Sequence, residues 1–493
     1  MLIEDEYIRL IFGLKLKQIR TEKKLSLFGL AKLTGLSKSY LNEIEKGKKY
    51  PKTDKISLLS ESLKVPYDHL VSLKLDKNLA PIGEILQSKI LKEIPLELFG
   101  IKENNLIDII ANAPAKVNAF ISTIIKISQN YNLTRESFFL ASLRSYQEAH
   151  NNYFEEIEGS VVKFAKSYHI DLSKKILSKD LEDILIEEFN YTIDTEELSK
   201  HKDLVVLRTI YIPKKNVLLI SKNISEAQKT FIYAKELAYN YLETKNRLYT
   251  FPWIKFESFD QVLNNFIASY FAGALIISEK SLTKELKKFF DIKQWNQTDF
   301  EKIIQKYNCS VETFYQRLTN ILPKQFHIKN LFFLRFTHQF NSKTFRLSKE
   351  LHITQQQAPH ANRNNEHYCR RWVSLKTIQE LEATKKTATF GLQISSYEDS
   401  KSEYIVFSSA TTDPFRKNLN RSVSIGLSLS PHLKKKLQFT KDELIPKKVV
   451  GVTCETCSVK NCAERVAEPL TLHKHQQYAE ISNAVDNIID SYN

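Results

Sequence analysis

Three of the chain's five cysteines fall within nine residues near its end. Cys454, Cys457 and Cys462, in the run GVTCETCSVKNC, have a C-x-x-C-x-x-x-x-C spacing. Thiolates are soft donors that hold zinc or iron–sulfur clusters, and so dense a thiol cluster is a metal-site signal. A tetrahedral site needs a fourth ligand, and Cys369, in EHYCRRWVSL, is the best candidate. Cys309, between Asn308 and Ser310 on an expected helix, reads as an ordinary small residue. An iron–sulfur cluster and a zinc held by four sulfurs both suit this donor set. A set of free thiols is the bland alternative.

A second stretch with chemical potential is FIYAKELAYNYL, residues 231–242. A zinc-protease helix carries His-Glu-x-x-His, because two histidines at i and i+4 share a helical face and the Glu serves as general base. Here Glu236 is present, but Lys235 and Tyr239 occupy the histidine positions. An ammonium has no lone pair to donate, and a phenol is a poor zinc ligand near neutral pH. Without a metal to acidify water, Glu236 alone cannot generate the hydroxide that peptide cleavage requires. The spacing therefore predicts a helix from which the protease chemistry has gone.

These residues must be positioned by several domains. A chain of 493 residues exceeds what one core supports, and 42% hydrophobic with 11% aromatic residues suffices for real cores. Only 11 glycines occur, and neither G-x-G-x-x-G nor G-x-x-x-x-G-K-[ST] is found, which argues against the common nucleotide-binding loops. A net charge of +15 and a pI near 9.2 favour polyanionic partners. The start, MLIEDEYIRLIFGLKLKQIR, is acidic and then amphipathic, unlike a secretory signal. No apolar run approaches the roughly 18 residues of a membrane span. Five cysteines in a large chain of this kind read as reduced, and the expected location is cytoplasmic, without a membrane partner.

Near the start, Ile8, Ile11, Phe12, Leu16 and Ile19 recur at helical spacing. After a break at TEKK, a short helix is expected from Leu27 to Thr34, then a turn at Gly35. A second helix opens after the N-cap Ser37 and closes at Gly47. Two helices across a short Gly turn are the helix-turn-helix signature. Leu30, Ala31, Leu33, Leu36, Leu41, Ile44, Ile56, Leu59 and Leu63 form its expected core. The run LAKLTGLSKSYLNEIEKGKKYPK resembles the Xre/Cro/C1-type helix-turn-helix family, in which the second helix enters the major groove. That places Ser37, Lys38, Ser39, Tyr40 and Asn42 against bases, with Lys46, Lys48 and Lys49 near phosphates. A Gln often opens the first helix of that motif; here the position is Leu27.

Further on, RESFFLASLRSYQEAHNNYFEEIEGSVVKFAKSY reads as helical without a fixed repeat, and His150 within it and His169 just after it read as surface or packing residues. DLVVLRTIYIPKKNVLLIS reads as two strands joined at PKKN. These strands, AKELAYNYL and the following FDQVLNNFIASYFAGALII resemble the ImmA/IrrE metallopeptidase-like family. Its third ligand position, before the A-x-x-F-A run, is here Asn265. Beyond SVETFYQRLTNI the chain turns β-rich, with LFFLRFT, TFRLS, ATFGLQISS, EYIVFSSAT and RSVSIGLSLS as short strands.

In order, the helix-turn-helix, IPLELFGI, the zincin-like middle, NLFFLRFTHQFNSKTFRLS, YCRRW and the cysteine triplet resemble the short-chain fatty acyl-CoA regulator family. The resemblance implies a transcription factor of carbon metabolism whose C-terminal half senses an acyl-CoA, with an iron–sulfur cluster in some members. A CoA ligand demands cations for its phosphates and an apolar place for its acyl arm. Arg335, Arg370, Arg371, Trp372 and Arg421 are the candidate contributors. The family's CPRW-like run appears here as CRRW.

The expected architecture is thus multidomain, mainly α with α+β. A helix-turn-helix bundle covers 1–75, a helical linker or dimerisation region 76–175, a degenerate ImmA/IrrE-like domain 176–322 and a β-rich sensor domain with the cysteine cluster 323–493. The expected function is that of a non-enzymatic, homodimeric regulator that binds a double-stranded DNA operator. Its signal is a short-chain acyl-CoA, an iron–sulfur cluster, or both. One alternative is a phage-type or toxin–antitoxin repressor with a structural zinc. A repressor-cleaving metalloprotease is disfavoured by the missing ligands.

Overall fold

The computed structural model describes residues 4–73, 135–251, 257–353, 366–397, 402–413, 415–416 and 418–492. IPLELFGI lies outside these described residues. The chain divides into two compact units, Met1–Tyr146 and Gln147–Asn493.

The first unit opens with α1 (Glu4–Glu22), α2 (Leu27–Thr34), α3 (Lys38–Glu45), α4 (Thr53–Leu63) and α5 (Tyr67–Val71). Caps explain the breaks. Ser26 accepts from Gly29 N to start α2, and Gly35, at φ 69°, ends it in the left-handed region that glycine adopts without a steric penalty. Phe12, Leu16, Ile19, Leu30, Leu41, Ile44, Ile56, Leu59 and Leu63 close the core. Ala31 and Leu36 pack against it half-buried. Leu33, expected inside, is instead 53% exposed. It falls on the solvent side of α2, whose short length gives only one buried stripe. Gly13 is required by close packing, since a Cβ there would lie 2.3 Å from Ile44 O. Arg20 reaches from α1 to Glu45 of α3 in a two-pronged pair at 2.6 and 2.9 Å.

In the second unit, α7 (Glu155–Ser167) follows α6 (Arg135–Ala149), which spans the junction of the two units. Asn151 and Asn152, both at positive φ, break the chain between them. The next helices are α8 (Ser178–Glu187), α9 (Glu226–Tyr241), α10 (Phe259–Ile276), α11 (Glu279–Phe290), α12 (Gln297–Gln305) and α13 (Val311–Gln325). A small sheet joins β1 (Thr192–Asp194), β2 (Thr209–Ile212), β3 (Val217–Ile220) and β4 (Thr250–Phe251) in the order β1-β3-β2-β4. The expected hairpin is β2–β3, antiparallel, with Asn216 in the left-handed conformation at its turn. The C-terminal half of α10 is largely apolar and buried, with Ala268, Phe271, Ala272, Ala274, Leu275 and Ile276 in the core. Among the described residues, no single helix is long and apolar enough to cross a membrane. Arg317 of α13 pairs with Glu158 of α7 in the interior, where Tyr270 OH also donates to Glu158 at 2.8 Å.

A second sheet follows: β5 (Leu331–Gln339), β6 (Arg346–His352), β7 (Ala388–Tyr397), β8 (Glu403–Thr412), β9 (Leu419–Ser428) and β10 (Lys447–Val450), ordered β10-β7-β8-β9-β5-β6. Only the β10–β7 edge is parallel. Helix α14 (Val373–Thr384) packs on it, approaching where Gly391 has no side chain; a Cβ there would stand 2.6 Å from Val373. Their contact holds a buried hydroxyl chain in which Ser424 donates to Ser374 at 2.8 Å and Thr377 meets Ser408 at 3.0 Å. After α15 (Pro431–Lys436), the chain ends in α16 (Leu470–Tyr492).

Candidate functional site

The chemistry-bearing residues gather at four places. In the first unit, Ser37 caps α3 by accepting from Tyr40 N at 3.1 Å, which fixes the helix start. Ser37, Lys38 and Ser39 are exposed there, as are Lys46, Lys48 and Lys49 past the far end. Asn42 is half-exposed on the same helix. Tyr40 is shared, its ring half-buried against the core. Lys49 pairs with Glu43 at 2.8 Å, so part of its charge is already answered within the fold.

In the second unit, α9 and α10 bring together the three residues expected at the ligand positions. Lys235 Nζ donates to Asn265 Oδ1 at 2.5 Å, and Tyr239 OH reaches the same oxygen at 3.4 Å. One amide oxygen thus accepts from both side chains. Glu236 faces elsewhere, as neighbouring helix positions must. It is buried, accepts from Tyr191 OH at 3.1 Å, and forms an ion pair with Arg247. Arg247 lies between the rings of Tyr211 and Tyr239, 4.1 Å from each centroid. Burial holds the Lys235 ammonium down to about 8, with Arg247 adding to the effect and Glu236 opposing it.

The third place is cationic. Arg335 of β5 contacts Glu312 at 3.0 Å, and Arg421 of β9 lies 3.8 Å from Asp413. Burial alone would raise Glu312, yet Arg335, Lys349, Arg421 and Arg208 hold it at about 2. Arg208 lies over Phe251 at 5.0 Å and Phe415 at 5.1 Å, and among the described residues no ion pair is formed by it. Lys235 shares the Phe251 ring from 5.3 Å. Among the described residues, four cations (Arg208, Arg335, Lys349, Arg421) therefore answer two carboxylates (Glu312, Asp413), an excess of positive charge beside aromatic rings. Sequence reasoning found Arg335 and Arg421 but missed Arg208 and Lys349. Their only sequence signal was alternation along strand-like runs, which does not say which strands become neighbours.

The fourth place is the cysteine loop. Cys369, Cys454, Cys457 and Cys462 line one cavity, with Arg370 and Arg371 on its wall. Among the described residues, no three His, Cys, Asp or Glu side chains are already drawn together tightly enough to hold a metal ion. The loop is tied to the segment just before α14: Cys369 N donates to Val452 O, and Cys454 N to His367 O. Arg465 donates to the carbonyls of Cys454, Cys457 and Val459. Gly451 leaves the room Cys457 needs, because a Cβ there would stand 2.7 Å from its Sγ. Burial pushes the Cys369 thiol up to about 11. Arg370 donates to Lys343 O and lies over Phe345. Trp372 is core, its indole N–H donating to Gly451 O at 2.9 Å. Cys309 lies just before α13 rather than on a helix, because Ser310 is the N-cap. His169 is exposed, and exposed His150 stacks on Phe154.

Comparison with known proteins places two domains. Residues 16–70 match the helix-turn-helix family model, and residues 187–319 match the IrrE N-terminal-like domain. Over 331 residues the chain is 24% identical to the HTH-type transcriptional regulator RamB of Mycobacterium tuberculosis (strain ATCC 25618 / H37Rv), covering 63% of this chain and 65% of RamB. Over 61 residues it is 41% identical to the HTH-type transcriptional repressor RghR of Bacillus subtilis (strain 168), covering 12% of this chain and 45% of RghR. A solved Mycobacterium tuberculosis transcriptional regulator superposes with a TM-score of 0.47 at 16% identity, over 66% of this chain and 92% of that one. The chain therefore carries a helix-turn-helix domain and an IrrE-like domain.

Proposed function

We propose that this chain is a sequence-specific DNA-binding transcription regulator whose C-terminal half responds to an anionic metabolic effector, a short-chain acyl-CoA. The observation that carries the first part is α3: a capped helix with Ser37, Lys38 and Ser39 exposed at its start and Lys46, Lys48 and Lys49 beyond its end. A recognition helix presents its first residues to base edges while flanking cations meet phosphates. The names of RamB and RghR agree with this reading. As a homodimer, the protein would read half-sites about 34 Å apart.

The cationic cluster supports the effector. Phosphates are best met by several guanidinium and ammonium groups, and Arg208, Arg335, Lys349 and Arg421 exceed the charge of Glu312 and Asp413. Peptide hydrolysis is not supported: Lys235 and Tyr239 are engaged by Asn265, and Glu236 by Arg247. The donor set of Cys369, Cys454, Cys457 and Cys462 fits a metal group, given the shared cavity and the space Gly451 leaves for Cys457. Those four residues would hold an iron–sulfur cluster, which would supply redox sensitivity, or a zinc ion, which would supply a structural clip.

Native mass spectrometry on protein purified without oxygen tests the C-terminal half, and titration of acyl-CoA species against labelled operator tests the coupling. An effector that shifts DNA affinity must have its own affinity shifted by DNA through the same factor. Absence of that reciprocity overturns the sensing claim and leaves the DNA-binding claim to be judged by footprinting.

A further inference from the structure

Helix α16 is unlike every other long helix of the second unit, because residues 473–491 along it are all exposed. Its start is held: Leu472 N donates to Glu455 O at 3.1 Å, inside the cysteine loop. Beyond that point it carries large apolar side chains in the open. Tyr478 is 71% exposed, Ile481 54%, Val485 48% and Ile488 59%, with Ile489 beside them at 53%. Their spacing is three, four, three, which is the a/d seam of a two-helix coiled coil, and the seam is rich in β-branched residues. A solvated helix has no use for such a stripe.

The charges choose the partner. His473, Lys474 and His475 lie at the start of α16, and Glu480, Asp486 and Asp490 lie toward its end. There is no acidic residue in the first turn and no basic residue in the last. This is the reverse of what the macrodipole of a lone helix favours. Beside an antiparallel copy, each basic start meets an acidic end and the two dipoles oppose. A parallel copy would instead set like charges side by side.

We propose that α16 is an antiparallel coiled-coil dimerisation element whose occupant is α16 of a second copy of this chain. The seam then sets Tyr478 beside the partner subunit's Ile488, and Ile481 beside the partner subunit's Val485. The inference deepens the dimer of the proposed function by naming its surface, and it stands on the seam rather than on DNA binding.

Sedimentation of the full chain tests it. The expected mass is twice 57.3 kDa. Ile481→Glu with Ile488→Glu should raise the dimer dissociation constant by roughly a hundred-fold or more, as removal of central interface anchors does. Circular dichroism checks that the variant is still folded. Orientation is read by oxidative cross-linking: Tyr478→Cys combined with Ile488→Cys should give a covalent dimer, and Ile488→Cys alone should not. A monomeric wild-type chain, or a double-Glu variant that stays dimeric, overturns the proposal. Cross-linking of Ile488→Cys to itself overturns the antiparallel arrangement. A dimer that binds no DNA fails the regulator reading and leaves this one standing.

Discussion

Replacing Glu236 separates a structural carboxylate from a catalytic one. Glu236 and Arg247 have side-chain exposures of only 8% and 7%, and Tyr191 OH donates to the same carboxylate at 3.1 Å. Glu236→Ala leaves a guanidinium buried between two tyrosine rings with no counter-ion, a change that costs about 3–5 kcal/mol when one partner of a buried pair is removed. At about 2 °C per kcal/mol, the low end appropriate to a large unit, the second unit should melt roughly 6–10 °C lower. Glu236→Gln keeps a hydrogen-bond acceptor for Tyr191 and Arg247 and should lose less. Replacing both partners, Glu236→Leu with Arg247→Met, should recover part of the loss, because the uncompensated charge has gone. Scanning calorimetry on the four proteins reads all of this. A general base held in an active site behaves in the opposite way, since its removal often leaves stability unchanged or improved. A Glu236→Ala protein that melts at or above the wild-type temperature would therefore refute the structural assignment.

In the first unit, Lys48→Ala with Lys49→Ala should weaken binding to every DNA sequence and flatten its salt dependence, whereas Asn42→Ala should relax preference at particular bases; anisotropy titrations over several salt concentrations distinguish the two. Unchanged sequence preference for Asn42→Ala would mean that another face of α3 reads the groove. Burial lowers Lys235 to about 8, below the 10.5 of a free lysine, so between those values the unfolded chain holds a proton that the folded chain does not. Stability from this group therefore rises as pH climbs through that window, and Lys235→Met should remove the rise in denaturant midpoints compared from pH 7.5 to about 9.5. Gly451→Ala puts a Cβ 2.7 Å from Cys457 Sγ and should lower the metal content seen by native mass spectrometry without touching a thiol, with equal metal in both proteins counting against the cysteine site.

What could be read in the sequence follows from how local each signal is. The helix-turn-helix was legible because its information is short-range: Ser37 caps the helix it precedes, Gly35 supplies the left-handed turn, and the stripe from Leu30 to Leu63 needs only helical periodicity. The strand runs and the hairpin at Asn216 were legible for the same reason. Leu33 failed because a helix of 8 residues has too few turns for periodicity to separate its buried stripe from its rim. The cationic cluster was only half legible, because Arg208 and Lys349 join it through β2 and β6, elements distant from Arg421 in sequence. A strand order of β10-β7-β8-β9-β5-β6 is not written in any one segment. Asn265 could be assigned a position by resemblance, but nothing local indicated that its amide oxygen would accept a hydrogen bond from Lys235 Nζ at 2.5 Å. Lys235, Tyr239 and Asn265 form a self-satisfied polar cluster, as buried polar groups require. Cys369, Cys454, Cys457 and Cys462, from segments distant in sequence, come to line one cavity, which no single stretch of sequence indicates.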